Sequence, residues 1–319
     1  MSLFKRKGED KDADSFRGSF SIPASRSEWV RLATQSRLIG KSLHDLVKLG
    51  SGSKVTKKQF VLFRAVWPRP EKFSHILNDK AKYHLNEVWD DAEQLVAKSV
   101  EIQNYFSLVE SPDGLGALAE GQPGWPGSWA LVLKWQKRCP PNDEAVTNVA
   151  LITFLDAVSN LIPQANFEVT IVRVAFEATF KTCSYKALTD GGIWIKDDID
   201  DVRAIAEVKK GPRRDNSDRI RMQETAEIVG WLKSAKPWNN VFGGYKILFA
   251  QDGHQAWLVF GKPTTSYPAY LAGGTHTHDT FLDMTTYGPF KLSVREHIKT
   301  LCVLSAAVML RIKRALQVQ

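Results

Sequence analysis

The stretch DVRAIAEVKKGPRR, Asp201–Arg214, decides how the chain is read. Val202, Ala204, Ile205, Ala206 and Val208 make an apolar, strand-forming run, yet Glu207 and Lys209 stand near its end, two positions apart. Side chains alternate across a strand, so Glu207 and Lys209 share one face while Val208 takes the other. Burying a charge is costly unless it is paired and given work to do. The pair therefore asks for a chemistry that uses a carboxylate beside an ammonium.

GGIWIKDDIDDVRAIAEVKK, which contains most of that stretch, gives two apolar runs around an acidic turn, the pattern of a β-hairpin. With the turn centred between Asp198 and Ile199, Asp190 falls opposite Glu207. Asp197, Asp198, Asp200 and Asp201 then sit at the turn, roughly 20 Å along the strand, and read as turn and solvation residues. Asp197 and Asp198 are the reserves for a slipped register. Two carboxylates on adjacent strands, Asp190 and Glu207, form a hard oxygen site suited to Mg²⁺ or Mn²⁺, which polarises a phosphodiester and acidifies water. Lys209, one side chain away, is placed to orient that water or to meet charge developing on phosphate.

The rest of the chain is consistent with a mixed α/β domain. Leucines and Trp29 at helical spacing predict a helix from about Arg26 towards a stop at Gly50, and a second helical stretch spans Asn78 to Val109. SPDGLGALAEGQPGWPGS then breaks the pattern with Gly and Pro. Beyond residue 140 the order is a helix from Asp143 and Glu144 to about Leu161, a strand region over Phe167–Phe180, the hairpin above, a helix from Ser217, a second hairpin turning at Gln251–His254, and a closing helix. These readings divide the chain into a loose polar tail over 1–24, a mainly helical extension over 25–130 and an α/β domain over 131–319, with a central mixed sheet flanked by helices.

Composition narrows the function. The chain has 319 residues, 43% of them hydrophobic and 24% charged, which is the balance of a globular protein. Lys and Arg outnumber Asp and Glu by 43 to 35, which favours a polyanionic partner. Three cysteines form neither a CxxC pair nor an even framework, against a zinc ribbon or a secreted disulfide scaffold. No apolar run reaches the ~20 residues of a membrane span. The expectation is an intracellular protein of nucleus or cytoplasm, with no membrane partner and its oligomeric state open.

At this point the sequence resembles the PD-(D/E)XK nuclease superfamily, and in particular the nuclease-like proteins of fungal genomes. LTDGGIWI looks like the family's aspartate strand, IAEVKK like its E-x-K strand, RMQETAEIVGWL like its following helix, and YGPF before the last helix like the fungal group. The resemblance covers roughly residues 140 to 316. It implies a restriction-endonuclease-like core, Mg²⁺ or Mn²⁺ held by Asp190, Glu207 and the backbone carbonyl of Val208, and Lys209 as the catalytic lysine. Glu144 matches the family's extra helix carboxylate and Gln223 its helix glutamine. Thr189 stands where the motif's name-giving proline would be.

The function so implied is metal-dependent hydrolysis of DNA, with a catalytically silent nuclease-fold module that binds nucleic acid or protein as the alternative. Lys210, Arg213 and Arg214 adjoin the expected metal, and Arg219 and Arg221 follow at the next helix start; these are the expected phosphate contacts. A looser basic field runs through Lys54, Lys57, Lys58, Arg64, Arg69, Lys72, Lys80 and Lys82, with Trp67 and Phe73 interleaved as stacking groups. His276 and His278 in THTHD lack further ligands and read as loop residues.

Overall fold

A computed structural model of the chain describes residues 20–111, 127–138, 143–215, 217–234, 241–275 and 277–317. The first part is built of short helices: α1 (Arg26–Gln35), α2 (Lys57–Leu62), α3 (Ile76–Asp79), α4 (Trp89–Lys98), α5 (Val100–Val109) and α6 (Gly127–Arg138). Between them lies one very short strand, β1 (Ala65–Val66). Helix α7 (Glu144–Ser159) follows, capped by the Asp143 side chain, and then the strands β2 (Phe167–Thr170), β3 (Ala175–Thr179) and β4 (Ser184–Leu188). The hairpin of β5 (Gly191–Ile195) and β6 (Asp198–Lys209) leads into α8 (Ser217–Ser234). A second hairpin, β7 (Lys246–Asp252) with β8 (Gln255–Pro263), precedes α9 (Tyr267–Leu271), β9 (Leu282–Lys291) and α10 (Arg295–Gln317).

Seven strands form one mixed sheet in the order β1-β9-β8-β7-β6-β5-β2, and β3 and β4 pair as a separate ribbon. The fold is thus α/β, a mixed central sheet flanked by helices, as the sequence predicts. Strand alternation divides β6 between two cores. Ala204, Ala206 and Val208 join a core with α4, α5, α7 and α10, while Val202 and Ile205 join one with α1, α2, α8 and the ribbon. β6 and β7 are parallel, joined by the crossover through α8, so the C-terminal end of β6 feeds directly into the start of that helix.

The hairpin reading needs correction. The turn of the first hairpin is at Lys196 and Asp197, not between Asp198 and Ile199, because Ile195 pairs with Asp198 and two register shifts flank Trp194. Those irregularities absorb the displacement, so the register at the other end is the expected one: Gly191 opposes Ala206 and the Asp190 amide donates to the Ala206 carbonyl at 2.9 Å. Asp198, Asp200 and Asp201 are strand residues, and Asp201 pairs with the buried guanidinium of Arg203 rather than serving only solvation. Residues 25–130, expected as a mainly helical extension, are built largely of helices and also reach the sheet and the cores. β1 joins the sheet edge beside β9, and residues from this stretch enter both cores. A strand of two residues carries no alternation to be read from sequence.

Among the described residues no helix is long and apolar enough to cross a membrane. Arg26–Gly50 holds a shorter helix than expected, ending at Gln35, and the strand region over Phe167–Phe180 consists of β2 and β3. The Gly- and Pro-rich break falls largely outside the described residues, as do Cys139 and His276.

Candidate active site

Asp190 immediately precedes β5, whose first residue is Gly191. A Cβ on Gly191 would come within 2.4 Å of the Thr170 carbonyl oxygen and 2.7 Å of Ile152, so only glycine lets β2 and α7 close over this end of β5. Thr189, in the motif's proline position, donates its amide to the Val174 carbonyl at 3.0 Å, a bond that proline cannot make. Its hydroxyl donates to the Gly191 carbonyl at 3.0 Å. The Asp190 carboxylate, in turn, accepts from the Val208 amide at 3.1 Å, which ties the aspartate to the E-x-K strand. Asn148 donates to the Asp190 carbonyl, and Arg173 lies 3.8 Å from the other carboxylate oxygen.

Glu207 and Lys209 point to the α8 side of β6. Glu207 is 2% exposed, and its Oε1 accepts from both Lys209 Nζ and Gln223 Nε2. Gln223 also donates to Glu227 Oε1 at 2.9 Å, bridging two buried carboxyls from one helix turn. Glu207 Oε2 and Glu227 Oε2 are buried and have no hydrogen-bond partner. Burial, partly offset by Lys209 and reinforced by Asp190, pushes the Glu207 carboxyl up to about 8. Burial and then Glu207 itself hold Glu227 well above the carboxylate range. Adjacent carboxyls in so dry a setting hold protons in common, and their ionisations belong to the pair.

The lysine occupies the point where the oxygens converge. Lys209 Nζ donates to Glu207 and, at 2.9 Å, to the Val208 carbonyl, and stands 4.0 Å from Glu144 Oε1. Burial opposes its charge, but Glu207, Glu227 and Glu144 together outweigh that and raise its pKa. The ammonium is a monovalent cation seated among hard oxygens. Among the described residues no group of three or more His, Cys, Asp or Glu side chains could hold a metal ion. Two carboxylates and a carbonyl are nonetheless a set that suits Mg²⁺, which keeps several waters. The unpartnered Glu207 Oε2 is a further donor of the same kind.

Sequence-expected residues thus separate into two groups. Asp190, Glu207, Val208, Lys209 and Gln223 come together, with Glu144 at the rim, its side chain 48% exposed. Of the expected phosphate contacts, Lys210, Arg214 and Arg219 are exposed and Arg221 is half-buried with its guanidinium near the Trp67 ring. Arg213 is a correction. It is 4% exposed and bonded to Glu224 and to Asp252, so its charge is spent inside the protein. Arg64 is likewise buried, stacked on Trp29 and bonded to the Thr280 and Thr277 carbonyls. Trp67, expected as a stacking group, is in the core with its indole bonded to Thr225. Phe73 packs on Phe290 and His297.

Glu227, Asn148 and Arg173 were not singled out in the sequence. The signal for the first two was present: Glu227 lies four residues after Gln223, and Asn148 four after Glu144, so each shares a helix face with a residue already chosen. Arg173 sits between strands, where no periodicity points to it. No family model, curated protein or solved structure matches this chain.

Proposed function

We propose that the chain is a metal-dependent nuclease that hydrolyses phosphodiester bonds in DNA, using Mg²⁺ or Mn²⁺ at the Glu207 cage. The observation that carries this reading is the position of the Lys209 ammonium, a cation surrounded by Glu207, the Val208 carbonyl and Glu144, beside Asp190. The residues fit the ion. They are all hard oxygens, one of them is buried without a partner, and burial raises the Glu207 carboxyl so that it holds a proton that a divalent charge would displace. When bound, such an ion polarises a phosphoryl oxygen and acidifies water.

The protein's own groups have distinct tasks in this scheme. Asp190 and Glu207 would hold the ion, and the Val208 amide keeps the Asp190 carboxylate aimed. Gln223 fixes Glu207 through its amide. Lys209, whose ammonium is held by Glu207 and the Val208 carbonyl, would supply positive charge to the attacking water and to the phosphate oxygens, where negative charge develops. Arg173, its side chain 65% exposed, lies at the mouth beside Asp190 and is available to the same phosphate.

The test is cleavage of plasmid and of end-labelled linear DNA with Mg²⁺ or Mn²⁺, with EDTA as the blank. Lys209→Ala removes no ligand, so calorimetric titration should show metal binding retained or tightened, while turnover falls by roughly 10² or more. Loss of metal binding in that variant would contradict the assignment of Lys209 as a positioning and charge-stabilising group. A wild type that binds DNA but cleaves it with neither Mg²⁺ nor Mn²⁺ supports the silent module instead.

A further inference from the structure

The two basic fields of the sequence, one in the first half and one after the E-x-K strand, meet in space. A cleft of about 520 Å³ lies between the segment Gly52–Lys57 and the first turns of α8. Lys54 and Lys57 line one wall and Arg219 the other, against the single carboxylate of Asp218. Gln223, whose amide holds Glu207, lines the same cleft. The cleft is therefore continuous with the proposed catalytic pair through one side chain. Phe20 also borders it, edge-on to Phe60 and within 5.9 Å of the Lys57 ammonium.

The wall is a built one. Gly50 is clamped at both its amide and its carbonyl by the buried side chain of Gln59, at 2.9 and 3.1 Å. Gly52 lies so close on the ribbon that an added Cβ would come within 2.9 Å of Ala187. The lysines thus project from an ordered loop held against the same ribbon that packs on α8.

Resting on the nuclease reading, we infer that this cleft seats a single-stranded stretch of the nucleic-acid substrate, with Lys54, Lys57 and Arg219 on its phosphates and Phe20 against a base. Three cations against one carboxylate favour a polyanion. A pocket of this volume takes one small ligand-sized group, such as a nucleotide, rather than the broad face of a duplex. A basic groove combined with an aromatic ring is the combination by which single strands are held without sequence readout. The first half of the chain accordingly supplies part of the substrate site, and the α/β part alone would lack it.

The test is fluorescence anisotropy of the full chain with short end-labelled oligo-dT in EDTA, which separates binding from cleavage. The double variant Lys54→Glu, Lys57→Glu should weaken binding at least about tenfold and lower the slope of log affinity against log salt by roughly 1.4. Phe20→Leu keeps apolar packing on Phe60 but removes the ring; it should weaken binding about tenfold with the salt slope unchanged. The control Lys98→Glu, Lys299→Glu makes the same change in net charge on the opposite helix layer and should bind as the wild type does. If the wild type binds oligo-dT and the Lys54, Lys57 variant binds it equally well, the cleft assignment is wrong while the nuclease reading stands. The same holds if duplex displaces oligo-dT from the wild type at equal concentration. A wild type that binds neither oligo-dT nor duplex at low salt removes both readings together.

Discussion

Arg213→Ala is expected to destabilise the protein by about 3–5 kcal/mol, the cost of leaving buried charges without their partner. The guanidinium bonds to both Glu224 oxygens and to Asp252, and all three side chains are at most 4% exposed. Burial opposes the Arg213 charge, but the two carboxylates outweigh it and raise its pKa further. Burial holds the Glu224 and Asp252 carboxyls up even with the guanidinium present, so without it both face each other in a dry setting. A thermal scan at neutral pH should show the midpoint lowered by roughly 6–20 °C, given about 2–4 °C per kcal/mol in a large domain. Arg214→Ala, at an exposed neighbour, should move it within the scatter of surface substitutions, about 0.5 kcal/mol. The charge argument has its own control: Arg213→Met with Glu224→Leu and Asp252→Leu removes all three charges and should recover most of the loss. If the triple variant is no better than Arg213→Ala, packing and not charge explains the effect. Because the triad joins the ends of β6 and β7 to α8, its loss also loosens the helix that carries Gln223 and Glu227.

Arg213 shows where sequence reasoning ran out. In KKGPRR a basic run beside an expected metal reads as a phosphate contact, and four neighbours in number separate no buried residue from the exposed ones. What buries Arg213 is Glu224 on α8 and Asp252 on β7, whose approach depends on the parallel pairing of β6 with β7. Asp190, by contrast, was legible because hairpin register is local. Its pairing with the E-x-K strand follows from counting back from a turn, and the count survived a misplaced turn only because bulges took up the difference. Gln223 was legible from the resemblance, and Glu227 became so once a helix was assumed. The contribution of the first half was not legible at all. Lys54 and Lys57 were visible as charges, but the chain brings them to Arg219 through contacts of a loop with a ribbon, neither of which carries a sequence period. The same holds for β4, whose five residues read as a continuation of their surroundings.

Glu207→Gln should act in opposite directions on activity and on stability, and that opposition is the sharpest test of the site. For activity, the substitution removes a ligand charge, so Mg²⁺- or Mn²⁺-dependent cleavage should fall by at least about 10³-fold, as should that of Asp190→Asn. For stability, the sign follows from the raised carboxyl. Its folded pKa is about 8, above the ordinary carboxylate value, because of burial and then Asp190 against the pull of Lys209. A raised folded pKa contributes stability that is fully present below the unfolded value near 4.5 and is lost as pH rises through about 8. Glutamine copies the protonated carboxyl and cannot ionise. In metal-free buffer the variant should therefore match the wild type near pH 5 and exceed it at pH 9, by a margin on the order of a few kcal/mol at about 1.4 kcal/mol per pKa unit. Divalent metal should close the gap by binding the wild type alone, and that binding should strengthen with pH as the Glu207 proton leaves. Paired denaturant titrations at the two pH values, with and without Mn²⁺, read every part of this. A variant less stable than the wild type at pH 9 without metal would mean that Glu207 is held as a structural ion-pair partner of Lys209. A stability gain at pH 9 that Mn²⁺ leaves untouched would mean that the strain at Glu207 exists without an ion to relieve it.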